Sequence, residues 1–148
     1  LWNGIGFELA GRKNVIPMGE VGEILHIPRF TQVPGVKSWM NGVANVRGRL
    51  LPIMDLAQFF GLTGATRTNR DRRVLIVERE DVFSGLIVDS VHGMQYFPTD
   101  SYQQSAQYIP SAIRPFIKGQ YTKNDEVWTV FSPFLLIEAP SFVDVAQW

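Results

Sequence analysis

A mainly β fold, built as two small barrels packed together, is what this sequence predicts. Three observations point to it. Short alternating or β-branched apolar runs are separated by glycine and polar turns. No segment carries a convincing long helical periodicity. A pattern of hairpin, loop, second hairpin and short cap returns once along the chain, offset by about 70–77 residues, a length that suits small barrels rather than a solenoid. The competing architecture is one mixed sandwich with accidental similarity between its halves.

The elements follow in order. Ile5 to Leu9 alternates, and with Val15 to Met18 it forms a first hairpin across the polar turn Gly11-Arg12-Lys13-Asn14. Glu20 to Leu25 is expected as one helical turn carrying Val21, Ile24 and Leu25 on a common side. Ile27 to Gly35, with Pro28 and Pro34, reads as extended loop, and Val36 to Met40 as a short turn of helix. Gly42 to Met54 is the best-marked hairpin, with one strand to Val46 and the other from Arg49. Gly48 suits its turn because glycine takes φ > 0 without steric cost. Pro52 lacks an N–H and is expected at an edge or a bulge. Asp55 is placed to N-cap a short helix, Leu56 to Phe60, which Gly61 stops.

The polar stretch from Thr63 to Arg73 reads as a connector between subdomains 1–66 and 74–138, with strand exchange between them left open. Val74 to Val77 and Leu86 to Val88 flank a turn at Glu80-Asp81. Pro98 to Ser111 reads as a polar loop. Phe116 to Tyr121 and Val127 to Phe131 form the last hairpin around Lys123-Asn124-Asp125, and Phe134 to Glu138 a short helix after Ser132-Pro133.

Composition narrows the function. A chain of 148 residues, 45% apolar and 19% charged, has the makings of a real core. Lys and Arg together number 14, as do Asp and Glu, and this zero balance argues against a general nucleic-acid binder. No cysteine is present, so there is no disulfide, thiolate metal site or cysteine nucleophile, in keeping with a reducing cytoplasm. No apolar run approaches the ~18 residues of a membrane span. His26 and His92 lack a ligand spacing for metal. Asp55 and Asp89 read as a cap and a strand-end residue rather than an acid–base pair. No glycine pattern marks a phosphate loop. Arg67, Arg70, Arg72 and Arg73 read as a solvated linker, interrupted by Asp71 and free of interleaved aromatics.

Several motifs in this order resemble the CheW family of chemotaxis adaptor proteins. The first half supplies Phe7-Glu8-Leu9, Val15-Ile16-Pro17, Val21-Gly22-Glu23-Ile24-Leu25, Val33-Pro34-Gly35, Gly42-Val43-Ala44-Asn45-Val46-Arg47-Gly48 and Leu51-Pro52-Ile53-Met54-Asp55-Leu56. The second half supplies Gly85-Leu86-Ile87-Val88-Asp89-Ser90-Val91 and Ile117-Lys118-Gly119. Val46 stands where the family usually has Leu, and the closing strand ends in Phe131-Ser132-Pro133-Phe134 rather than an Asp-containing cap. That ending, with the stretch Arg29 to Lys37, resembles the branch tied to type IV pilus twitching motility.

The resemblance implies two SH3-like five-stranded β-barrels with short helices and an adaptor without catalytic activity or cofactor. Its partners would be the helical hairpin tip of a chemoreceptor's cytoplasmic part and the regulatory domain of a CheA-type histidine kinase. It would be cytoplasmic and recruited to the inner face of the membrane through receptor arrays. Val21, Glu23, Ile24, Gly42, Arg47, Val91 and Met94 would form the receptor groove, and Phe30, Thr31 and Val33 the kinase surface. Asn45, Gly48, Pro52 and Asp55 would shape the hairpin motif. Set against these roles, Glu23–Arg47 reads as a partly buried ion pair bracing the helical turn, the four apolar groove residues as core, and Phe30 as packed on the barrel. The alternative functions are the regulatory domain of a larger kinase and a small ligand-binding or enzymatic β-barrel.

Overall fold

The computed structural model describes residues 1–35, 40–64, 70–106, 108–140 and 142. Among these residues, ten strands and two short α-helices make the frame. β1 (Trp2–Leu9) and β2 (Arg12–Pro17) form the first hairpin. Its turn is Ala10-Gly11, with φ of 50° and 79°, so Arg12, Lys13 and Asn14 belong to the strand and not to the turn. β3 (Glu23–His26) replaces the expected helical turn: Glu23 to His26 pair with Ile76 back to Arg73. Six residues are too few to hold a helix alone, and the ladder satisfies their backbone groups instead. The helical turn expected over Val36 to Met40 lies outside the described residues, apart from Met40, which is already strand.

β4 (Met40–Val46) and β5 (Arg49–Asp55) are the predicted hairpin, followed by α1 (Leu56–Phe59). β6 (Arg73–Arg79) and β7 (Val82–Val88) turn at Glu80-Asp81 as expected. β8 (Ser90–Phe97) is a full strand. β9 (Ile117–Lys123), β10 (Glu126–Phe131) and α2 (Pro133–Ile137) follow, much as predicted.

Two curled five-stranded sheets result, ordered β8-β1-β2-β10-β9 and β3-β6-β7-β5-β4. Exchanging β1 with β6, β2 with β7, and so on to β5 with β10, turns one order into the other. The repeat is therefore real, and the strands are swapped: each sheet takes a hairpin from one half of the chain and three strands from the other.

Each barrel has its own interior, and a third, larger cluster draws on both sheets. On β6, Val74 and Ile76 face the barrel interior while Leu75 and Val77 face the shared cluster. Burial on both faces is why this strand reads as an unbroken apolar run.

Pro52 departs from expectation, because β5 is an inner strand between β7 and β4. It is tolerated because pairing to β7 begins only at Ile53. Its partner Val43 turns its own N–H and C=O away from β5, to Thr31 at 2.9 Å each, so no ladder bond needs a Pro52 N–H. The outer strands of both barrels are crossed the same way, Thr31 bridging Val43 and Gln103 bridging Gln120. Gly42 and Gly119 make room for these crossings: a Cβ at either would collide with the carbonyl oxygen of Thr31 or Gln103.

Candidate functional site

The β4–β5 turn positions the first element of the site. Arg47 (φ 49°) and Gly48 (φ 81°) are both left-handed, the backbone of a type I′ hairpin turn. Asn45 Oδ1 accepts from the Gly48 N–H at 2.9 Å and fixes the turn from within. Arg47, a residue type that avoids this conformation, is thereby aimed at edge strand β3. Its guanidinium donates to both Glu23 carboxylate oxygens, at 3.0 and 2.5 Å. The hydrogen bonds from Arg47 hold the Glu23 carboxyl below its ordinary value and raise the arginine above its own.

The pair braces no helical turn: Glu23 is half-buried on a strand and Arg47 stands in solvent. Arg47's side chain is 68% exposed and Glu23's 37%. A second fork lies beside it: Arg49 donates to both oxygens of Glu78 at 3.1 and 2.7 Å and covers the Phe83 ring at 3.7 Å. The two forks flank a depression of about 320 Å³ with Val46, Ile76 and Phe83 among its walls. Arg49, Glu78 and Phe83 escape sequence reasoning because only the β6–β7 register brings Glu78 opposite Phe83.

The predicted groove residues divide. Val21 and Val91 are half-buried against the cluster shared by the barrels. Ile24 (37% exposed) and Met94 (40% exposed) end two cross-strand rows. Ile24 pairs with Leu75, which pairs with Leu86 and on to Met54. Met94 pairs with Ile5, which pairs with Ile16. Paired residues share a sheet face, so both rows run into the shared cluster and surface only at their last side chain. Gly42 lies buried under the crossing loop.

On the predicted kinase surface, Phe30 is half-buried and packs on the interior of the β3–β4 barrel. Thr31 is exposed and holds β4 through its backbone, and Val33 is half-buried.

Asp55 does cap α1, accepting from Gln58 N–H at 3.0 Å. It also pairs with Arg72, whose side chain is only 22% exposed. Arg73 opens β6 and donates to the Arg70 and Arg72 carbonyls. The basic run is therefore no solvated linker at Arg72 and Arg73, while Arg67 lies outside the described residues. No cluster of three metal-ligating side chains exists among the described residues. No described helix is long and apolar enough to cross a membrane.

Comparison with known proteins adds to this geometry. A model of the CheW-like domain matches residues 3–141. The chain is 55% identical over 145 residues to Protein PilI of Pseudomonas aeruginosa, across 98% of this chain and 80% of that protein. It is 34% identical over 85 residues to chemotaxis protein CheW of Helicobacter pylori, across 57% and 51% of the two chains. The crystal structure of scaffolding protein TtCheW from Thermoanaerobacter tengcongensis shares the fold with a TM-score of 0.79 over 94% of both chains, at 24% identity.

Proposed function

The chain belongs to the CheW-like domain family, and from that premise we propose that it is a non-enzymatic adaptor coupling a methyl-accepting chemoreceptor to a CheA-type histidine kinase in a type IV pilus (twitching motility) system. The observation that carries the proposal is the exposed Glu23–Arg47 fork on a left-handed turn. Exposed ion pairs contribute little to stability, and a non-glycine residue at φ > 0 detracts from it. The left-handed turn is common to the hairpins of this chain, so it is the solvent-facing pairing of Arg47 with Glu23, of little use to the fold, that binding best accounts for.

The receptor's helical hairpin tip would lie on Val21, Ile24, Val91 and Met94, with Glu23 and Arg47 at the same sheet edge on the other face of β3. A helix docking in a groove needs spaced apolar anchors with polar groups to set its register. The kinase regulatory domain would meet the loop at Thr31 and Val33, with Phe30 holding that loop to the barrel. The 55% identity to PilI supports the pilus assignment, and with it a place at the cytoplasmic face of receptor arrays.

Co-purification with a receptor cytoplasmic fragment and with a kinase regulatory domain tests the reading. The native chain is expected to retain both. Arg47→Ala, shown folded by circular dichroism, is expected to lose receptor affinity by about tenfold, the scale of one lost charge-assisted hydrogen bond. Retention of neither partner by the native chain would overturn the adaptor assignment, and undiminished receptor binding by Arg47→Ala would remove the fork from it.

A further inference from the structure

Among the described strands, the chain passes from one barrel to the other at two places, between β2 and β3 and between β7 and β8. A carboxylate stands at each. At the second crossing, Asp89 Oδ2 accepts from Ala10 N–H at 2.8 Å, and the Asp89 N–H donates to Glu8 O at 3.1 Å. These bonds reach the hairpin that neighbours β8 in the same sheet. At the first crossing, Glu20 is buried, 8% exposed, and binds the junction after β10, the strand that neighbours β2 in the same sheet. Its Oε1 accepts from Ser132 Oγ at 2.7 Å and from Phe134 N–H at 3.0 Å, while Lys118 Nζ lies 3.7 Å from Oε2.

Ser132 Oγ meanwhile accepts from Leu135 N–H, so two free donors in the first turn of α2 are satisfied, one by a residue from the far end of the sequence. Two positions after Glu20, the Gly22 N–H donates to Ile76 O on β6 at 2.9 Å. The span Glu20 to Gly22 is thus tied to one barrel at its first residue and to the other at its last. Three residues reach at most about 10 Å, which leaves little slack. Val21, between the two ties, packs on the shared cluster, and Ile24 follows at once on β3.

We infer that Glu20 is a positioning residue: its carboxylate ties the crossing to α2 and so sets the spacing of the two barrels and the shape of the receptor surface between them. The link to the receptor rests on the proposed function; the link to barrel spacing does not. What the tie needs is the acceptor Oε1, which Glu20→Gln keeps and Glu20→Ala removes.

The test uses the absence of native cysteine. Spin labels on Leu50→Cys and Val127→Cys, exposed positions on different barrels, report the inter-barrel distance by pulsed dipolar spectroscopy. The native chain and Glu20→Gln are expected to share one narrow distribution, and Glu20→Ala to broaden it. With the receptor fragment, Glu20→Ala is expected to bind about tenfold more weakly, with affinity for the kinase domain unchanged and Glu20→Gln close to native. Should Glu20→Ala not fold, Glu20→Asp, one methylene short of Ser132, carries the same expectations. A distribution for Glu20→Ala that coincides with the native one overturns the inference, as does a Glu20→Gln distribution as broad as that of Glu20→Ala. Failure of the native chain to bind the receptor fragment would count against the proposed function, and the distance measurement would still decide the tie.

Discussion

The two barrels share a frame and differ in what fills it. The β8–β9 barrel encloses Val15, Phe97, Tyr121, Trp128 and Val130, with Trp2 at its margin. Its rings are stacked and crossed, Trp2 on Tyr121 at 4.5 Å, Phe97 on Tyr121 at 5.4 Å and Phe97 against Trp128 at 5.8 Å. The β3–β4 barrel encloses Ala44, Val46, Leu51, Ile53, Val74, Ile76 and Ile87, with aromatics only at its edge. Turns, crossing glycines and helix caps repeat between the halves because backbone geometry demands them. The filling is free to diverge as long as volume is conserved. A few large rings bear more packing per side chain than many small aliphatic groups, so the two interiors differ in sensitivity to a single truncation.

That difference gives the largest expected effect. Trp128 is 4% exposed, lies against Phe97 and His92, and has Lys13 and Lys123 over its ring. Trp128→Ala is expected to cost about 3–5 kcal/mol, and Ile53→Val in the other interior about 1 kcal/mol. Urea denaturation of the two variants measures both. Similar losses would show that the barrels unfold as interchangeable units, and the contrast between their interiors would have no energetic content.

The helix caps sharpen the comparison at smaller scale. Asp55 and Ser132 hold equivalent places, each at the end of the last strand of its hairpin and each capping a short helix. Ser132 spends its hydroxyl proton on Glu20, whereas Asp55 carries a charge met by Arg72. Asp55→Ala is expected to cost about 1–2 kcal/mol, the range of a lost N-cap. Asp55→Asn keeps the cap and drops the charge, so it should cost clearly less by the same denaturation assay. Equal costs would mean that the Arg72 pairing, and not the cap, is what the fold draws from Asp55.

Much of this organisation is legible in the residues. The hairpins at Arg47-Gly48, Glu80-Asp81 and Asn124-Asp125, the caps and the repeat all follow from local rules of turn chemistry and alternation. The failures share one cause, dependence on a partner far along the chain. β3 is a strand only because β6 lies beside it, and Pro52 sits in an inner strand only because the β7 ladder starts one residue later. Arg72 looks like linker until Asp55 is placed next to it. Glu20 offers no motif at all, since the groups it binds are Ser132 and Phe134. At the site, Glu23 and Arg47 are legible as a pair through the family resemblance, which puts an acidic residue and an arginine at these positions, but their exposure is not, because it depends on β3 being an edge.

The edges of the two sheets supply the smallest effect on stability and the most direct reading of the site. On β8 the contact to a carboxylate is from His92 Nε2 to Glu8 Oε1, at 3.5 Å. On β3 it is Glu23 held by both prongs of Arg47, with its carboxyl lowered from 4.5 chiefly by those hydrogen bonds. A carboxyl lowered in the folded state favours folding above its unfolded value and loses that contribution as pH falls through the lowered folded one. The fork is therefore held at neutral pH and is lost as acid protonates Glu23 below its ordinary range. In Arg47→Ala the Glu23 carboxyl, followed by NMR, should titrate back toward 4.5, while the urea midpoint near neutral pH should stay at its native value because solvent screens the exposed pair. A lowered midpoint would make the fork a brace for β3 rather than a surface for a partner. The β3 edge would then be held by charge as the β8 edge is held by its contacts with β1, and the asymmetry between the two edges would concern stability instead of recognition.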